Sequence, residues 1–64
     1  MIKIEKLNEI KRLFHNSKDL QKASPRDIYA QAFHDGLQTA YIEVIEILMT
    51  ETERKNMLDW LWDI

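Results

Sequence analysis

Apolar residues in the first third of the chain recur at helical spacing. Ile4, Leu7, Ile10 and Phe14 fall three and four apart and share one face, with Leu13 and Leu20 on its flank. The spacing predicts a first helix over about residues 3 to 16, fraying on toward Gln21. Ser24-Pro25-Arg26-Asp27 then reads as a boundary: Ser24 suits an N-cap, Pro25 the first helical position, and Asp27 the third, where a carboxylate complements free amides and the helix dipole. A second helix is expected from 25 to about 49. Phe33, Leu37, Ala40, Tyr41, Val44 and Leu48 read as its core face, and Ile42, Ile45 and Met49 as a second apolar side. Such a helix is expected to be buried on two sides.

The heptad-like series Leu37, Ala40, Val44, Ile47 runs into Glu51 and Arg54 before resuming at Leu58 and Leu61. Thr50-Glu51-Thr52-Glu53 fits a capping box, which predicts a break near Thr50 and a short third helix over about 51 to 62. In that segment Trp60 and Trp62 lie about 200° apart on a helix, so one indole is expected at an edge or a partner. One Gly, one Pro and no sustained alternation of apolar with polar residues leave no sheet signal. The fold class read from this pattern is all-α, a helical hairpin plus a short C-terminal helix.

Size changes the picture. A core in a chain of 64 residues supplies only about 3–5 kcal/mol, and without Cys no disulfide supplements it. Homodimerisation into a small helical bundle is the expected supplement, through Ile42, Ile45 and Met49. Ala32, Gly36 and Ala40, at i, i+4 and i+8, would let a second helix approach closely. No apolar run approaches the roughly 18 residues of a membrane span, and the first residues lack a signal-peptide core, so a cytoplasmic location without membrane contact is expected.

Charge is unevenly divided. Residues 1–26 hold seven Lys/Arg against three acids, and residues 27–64 hold eight acids against Arg54 and Lys55. A basic helix lying antiparallel on an acidic one is the simplest reading. Lys11, His15, Lys18 and Lys22 also form a stripe that would suit phosphate contacts, which gives nucleic-acid binding as an alternative. Ala32, Gly36, Leu37, Ile42 and Ile45 have about the spacing of a helix-turn-helix. The segment that would enter the groove, Gln38 to Leu48, carries Glu43 and Glu46 and no Lys or Arg, and would repel phosphates.

Chemistry adds little. His15 and His34 stand at no metal-ligand spacing, no Gly-rich loop offers an oxyanion hole, and no cofactor motif is present. The expected function is non-enzymatic: a small regulatory, inhibitory or adaptor protein presenting a helical face to a larger protein. Trp60, Trp62, Glu43, Glu46 and Glu51 are the expected contact residues, and a structural subunit of a larger assembly is a further alternative. The small size and Ile- and Lys-rich composition have the character of a bacterial or phage accessory product.

Overall fold

The computed structural model of the chain describes residues 2–63. It contains α1 (Ile2–Ala23), α2 (Ile28–Leu48), α3 (Glu51–Arg54) and α4 (Met57–Trp62), with no strand among the described residues. α1 and α2 form an antiparallel hairpin. The C-terminal helices return along α1, so that Glu53 meets Lys3, Trp60 meets Lys11 and Trp62 meets Lys18. No helix among the described residues is long and apolar enough to cross a membrane.

α1 runs well past the expected end at residue 16. The stretch Asn16-Ser17-Lys18-Asp19 has modest helix propensity, but Ser17 and Gln21 are bonded to α2, and tertiary contact overrides propensity here. The end of α1 is capped from the other helix: Gln31 Nε2 donates to the carbonyls of Gln21, in its last turn, and of Ser24 just beyond it, each at 2.9 Å. α2 begins at Ile28 rather than at Pro25. Asp27 is its N-cap, the carboxylate accepting from the Ala30 amide at 3.0 Å. Ser24 to Asp27 instead close a turn, with the Asp27 amide donating to the Ser24 carbonyl at 3.3 Å and Pro25 at the position its fixed φ favours.

The break after α2 has the expected capping box. Thr50 Oγ1 accepts from the Glu53 amide at 3.3 Å, and the Glu53 carboxylate accepts from the Thr50 amide at 2.8 Å. The expected helix 51–62 is interrupted, however, where the Asn56 amide bonds the Glu53 carbonyl. That turn re-aims the chain, so that Met57 and Leu61, one helical turn apart in α4, both enter the core.

The core lies at the end of the hairpin away from the turn. Leu7 and Phe14 of α1, Ile45 and the C-cap Met49 of α2, and Met57 and Leu61 of α4 are its buried members, and Phe14, Ile45 and Leu61 are closed off almost completely. Ile10, Tyr41, Ile42, Leu48 and Trp60 pack around them. Toward the turn the interface becomes polar, with Ser17 and Gln38 buried between the helices.

This arrangement corrects the sequence-based assignment of the two faces of α2. Ile45 and Met49, expected to bind a second copy, are inside the chain, and Ile42 is half-buried beside them. Phe33, Ala40 and Val44, expected in the core, are exposed. Gln31, Gln38 and Ile45 stand seven residues apart on one face, and that face meets Ser17 and Gln21 at one end and Phe14 and Leu7 at the other. The side bearing Phe33 and Val44 has no polar groups to match those of α1. Ala32 and Ala40 are exposed, and a Cβ built on Gly36 would meet nothing within 4 Å, so no helix of this chain uses that close approach. Gly36 lies inside the unbroken α2, which removes the turn a helix-turn-helix needs.

Two substitutions separate the faces. Leu61→Ala is expected to cost about 2–5 kcal/mol of unfolding free energy, as for other buried Leu side chains. Phe33→Ala is expected to change it by less than about 0.5 kcal/mol in the monomer. Urea denaturation of dilute protein followed by circular dichroism measures both, and equal costs would contradict this assignment of the faces.

Candidate interaction surface

The tryptophans and the basic stripe prove to be two halves of one contact. Leu61 fills the core, and its neighbours on the short helix α4 are thrown to either shoulder. Lys11 Nζ lies 5.0 Å from the Trp60 ring centroid and Lys18 Nζ 4.8 Å from that of Trp62. His15 Nε2 donates to the Leu61 carbonyl at 2.6 Å, which places the proton on that nitrogen. Phe14 meets Trp62 edge to face at 5.4 Å. Trp60 is half-buried and Trp62 keeps an exposed edge, as the angular separation of the two requires. Three members of the stripe proposed for phosphate contact are therefore engaged by the tail, each cation–π contact contributing about 0.5–1 kcal/mol. Lys22, the fourth, stands apart and exposed beyond them.

The hairpin interface near the turn is a closed polar network. Gln38 Nε2 donates to Gln21 Oε1 at 3.0 Å and, more weakly, to Ser17 Oγ at 3.4 Å. Ser17 Oγ and His34 Nδ1 share a hydrogen bond at 2.8 Å. Gln21 Nε2 reaches the Gln31 carbonyl and Asp35 Oδ1. No buried side-chain nitrogen or oxygen among the described residues lacks a partner. The Ser17–His34 pair is thus a satisfied structural contact, with its hydroxyl buried, and not an exposed nucleophile beside its base.

α2 turns a row of large apolar side chains outward. Tyr29 is 88% exposed, Phe33 63%, Val44 42% and Ile47 78%, with Leu37 partly covered and Ala40 open between them. Phe33, Leu37, Ala40, Val44 and Ile47 follow steps of four, three, four and three, the spacing of a helix-packing seam. Its members span a sector of about 80° on the side of α2 that α1 does not cover. Scattered exposed apolar residues are ordinary, but a contiguous row of this kind is not. Leu37, Ala40, Val44 and Ile47 are the heptad-like series of the sequence, and of the residues expected on the core face Tyr41 and Leu48 do pack against the core, whereas Phe33, Ala40 and Val44 face outward.

The acidic side chains proposed as contacts stay available. Glu43, Glu46 and Glu51 are exposed, and none forms an ion pair among the described residues. The ion pairs there are Lys3–Glu53 and, within α1, Glu9–Arg12. The expected pairing of a basic α1 with an acidic α2 is therefore absent among the described residues, its place taken by the polar network. No three His, Asp or Glu side chains converge among the described residues. A cleft of about 350 Å³ lies between Leu7, Met49, Asn56 and Trp60, open at its mouth.

Glu53 joins the cap to the N-terminal end of α1. Hydrogen bonding to Lys3, then to the backbone and hydroxyl of Thr50, holds its carboxyl at about 2, well below the ordinary carboxylate range. A depressed pKa contributes stability that is complete above that ordinary range and is lost as pH falls through about 2. Acid should therefore release α3 from α1 ahead of the core. Glu53→Gln should show that loosening already at neutral pH, read as faster amide exchange at Glu53 and Arg54, and unchanged exchange would contradict the tether.

In comparisons with known proteins, no family model matches the chain, no curated protein matches it, and no solved structure matches it.

Proposed function

We propose that this chain is a small non-enzymatic protein-interaction module of the cytoplasm, regulatory, inhibitory or adaptor in kind, whose contact surface is the outward row of α2. One observation carries the reading: Tyr29, Phe33, Val44 and Ile47 are exposed together on a helix whose opposite face already supplies the core. A fold that needed α2 only as a core element would place polar residues there. The acidic residues Glu43, beside the row, and Glu51, just past the end of α2, favour partners with basic groups at the matching end. Trp62 extends the surface less, because its ring is held by Phe14 and Lys18.

A photo-crosslinking side chain placed at Phe33 or Ile47 in cells making the protein should give discrete adducts to protein, and one placed at Asp35 should give far fewer. Adducts confined to Asp35 or to Trp62 would move the contact surface elsewhere and sink this reading.

A further inference from the structure

We infer that the row on α2 is a self-association seam: two copies pack α2 on α2, antiparallel, about a twofold axis beside Ala40. The inference rests on reading that row as a contact surface and names its occupant as a second copy of this chain.

Spacing is the first ground. A row stepping four, three, four and three is matched by a helix with the same repeat, and the chain itself supplies one. With the axis beside Ala40, Phe33 of one copy lies level with Ile47 of the other, and Leu37 lies level with Val44. Each large side chain then meets an aliphatic one, and the small residues Gly36 and Ala40 sit where the helices come closest. In a parallel, in-register pair each residue would meet itself, which stacks Phe33 on Phe33 and leaves a thin layer at Ala40.

Charge selects the same direction. Within α2, Glu43 and Glu46 lie in the C-terminal half, followed by Glu51, whereas at the turn Lys22 and Arg26 are balanced by Asp19 and Asp27. A parallel pair would gather the acids of both copies at one end, and antiparallel packing keeps them apart. Opposed helix dipoles add to this preference. Asp35 and Glu46 point about 140–180° away from the centre of the seam, so neither is buried by the contact.

Area is the third ground. A folded monomer of 7.7 kDa is expected to expose about 4,300 Å², and this chain exposes 4967 Å². The difference is on the order of 600 Å², comparable to the roughly 800 Å² that each partner loses in a standard interface.

Purified protein tests this directly. Sedimentation equilibrium should give twice 7.7 kDa at micromolar concentration, and Ala40→Glu should halve the mass while keeping the helical circular dichroism, because that position is open in the monomer. Cysteine placement reads the direction, since the chain has no other thiol. Ala40→Cys should oxidise to a covalent dimer. Phe33→Cys alone should not, its two copies lying about 21 Å apart along the axis, but mixed with Ile47→Cys it should. Wild-type protein monomeric up to about 1 mM would overturn the inference, as would a dimer indifferent to Ala40→Glu or Phe33→Cys linking to itself as readily as Ala40→Cys. A monomer whose Phe33 crosslinks to a different protein in the cell would end the self-association proposal and leave the seam a contact surface. Absence of both would end the two together.

Discussion

Leu61 is the side chain on which the rest of the structure depends. A hairpin of two helices buries one strip and leaves its margins open, and here the margin along Phe14 and Ile45 is closed by a third segment delivering Leu61 and Met57. With Leu61 inward, the helical rotation of about 100° per residue dictates where its neighbours go. Trp60 and Trp62 are carried to the two shoulders, each against a lysine of α1, and the Leu61 carbonyl meets His15. The turn at Asn56, the capping box at Thr50 and the Lys3–Glu53 pair bring the short helix α4 to that position. Basic stripe and aromatic tail, which look in the sequence like two binding features, are thus consequences of one packing event.

The hairpin interface is divided along its length, apolar at the open end and polar near the turn. Burying Ser17 and Gln38 adds little net stability, since each hydrogen bond replaces one to water. Sliding one helix against the other would leave the buried Gln38 without its partners, at about 1–3 kcal/mol for a buried unpaired group, and would break the half-buried bonds of Gln21 and Gln31. A sliding apolar pair would lose far less. The polar half therefore fixes the alignment of the helices, and the apolar half supplies the driving force.

Local signals made part of this readable in the sequence. The capping box at Thr50, the break at Ser24-Pro25 and the helical class each rest on residues within a few positions of one another. The inward face of α2 does not. Phe33, Leu37 and Val44 form as apolar a strip as Ile42, Ile45 and Met49, and hydrophobicity alone favours neither. What decides is complementarity with α1: the polar positions Ser17 and Gln21 need polar partners, and only the face of Ile45 offers them, at Gln31, His34 and Gln38. That signal is present in the sequence as a seven-residue spacing of Gln31, Gln38 and Ile45, and it emerges only when two helices are read against each other. The same choice decides which residues of α2 stay exposed, because a face taken up by the core is not available to a partner. The end of α1 was missed for a related reason: its polar C-terminal turns are held by groups on α2.

Assigning the polar side of α2 inward leaves its other apolar side with no role in the folded monomer. The core is complete without it, with Phe14, Ile45 and Leu61 already closed. Neither Phe33 nor Ile47 belongs to that core, and each costs solubility as it stands. Association through that face, as proposed, would therefore be separable from folding, unlike in a dimer whose core is shared between copies. The polar network sets the angle and alignment of α2 within the chain, so a partner docking on the proposed seam would gain apolar contact without the entropic cost of forming that helix. Preorganisation of this kind suits a chain of 64 residues, whose small core leaves little free energy to spare for ordering a binding element on contact.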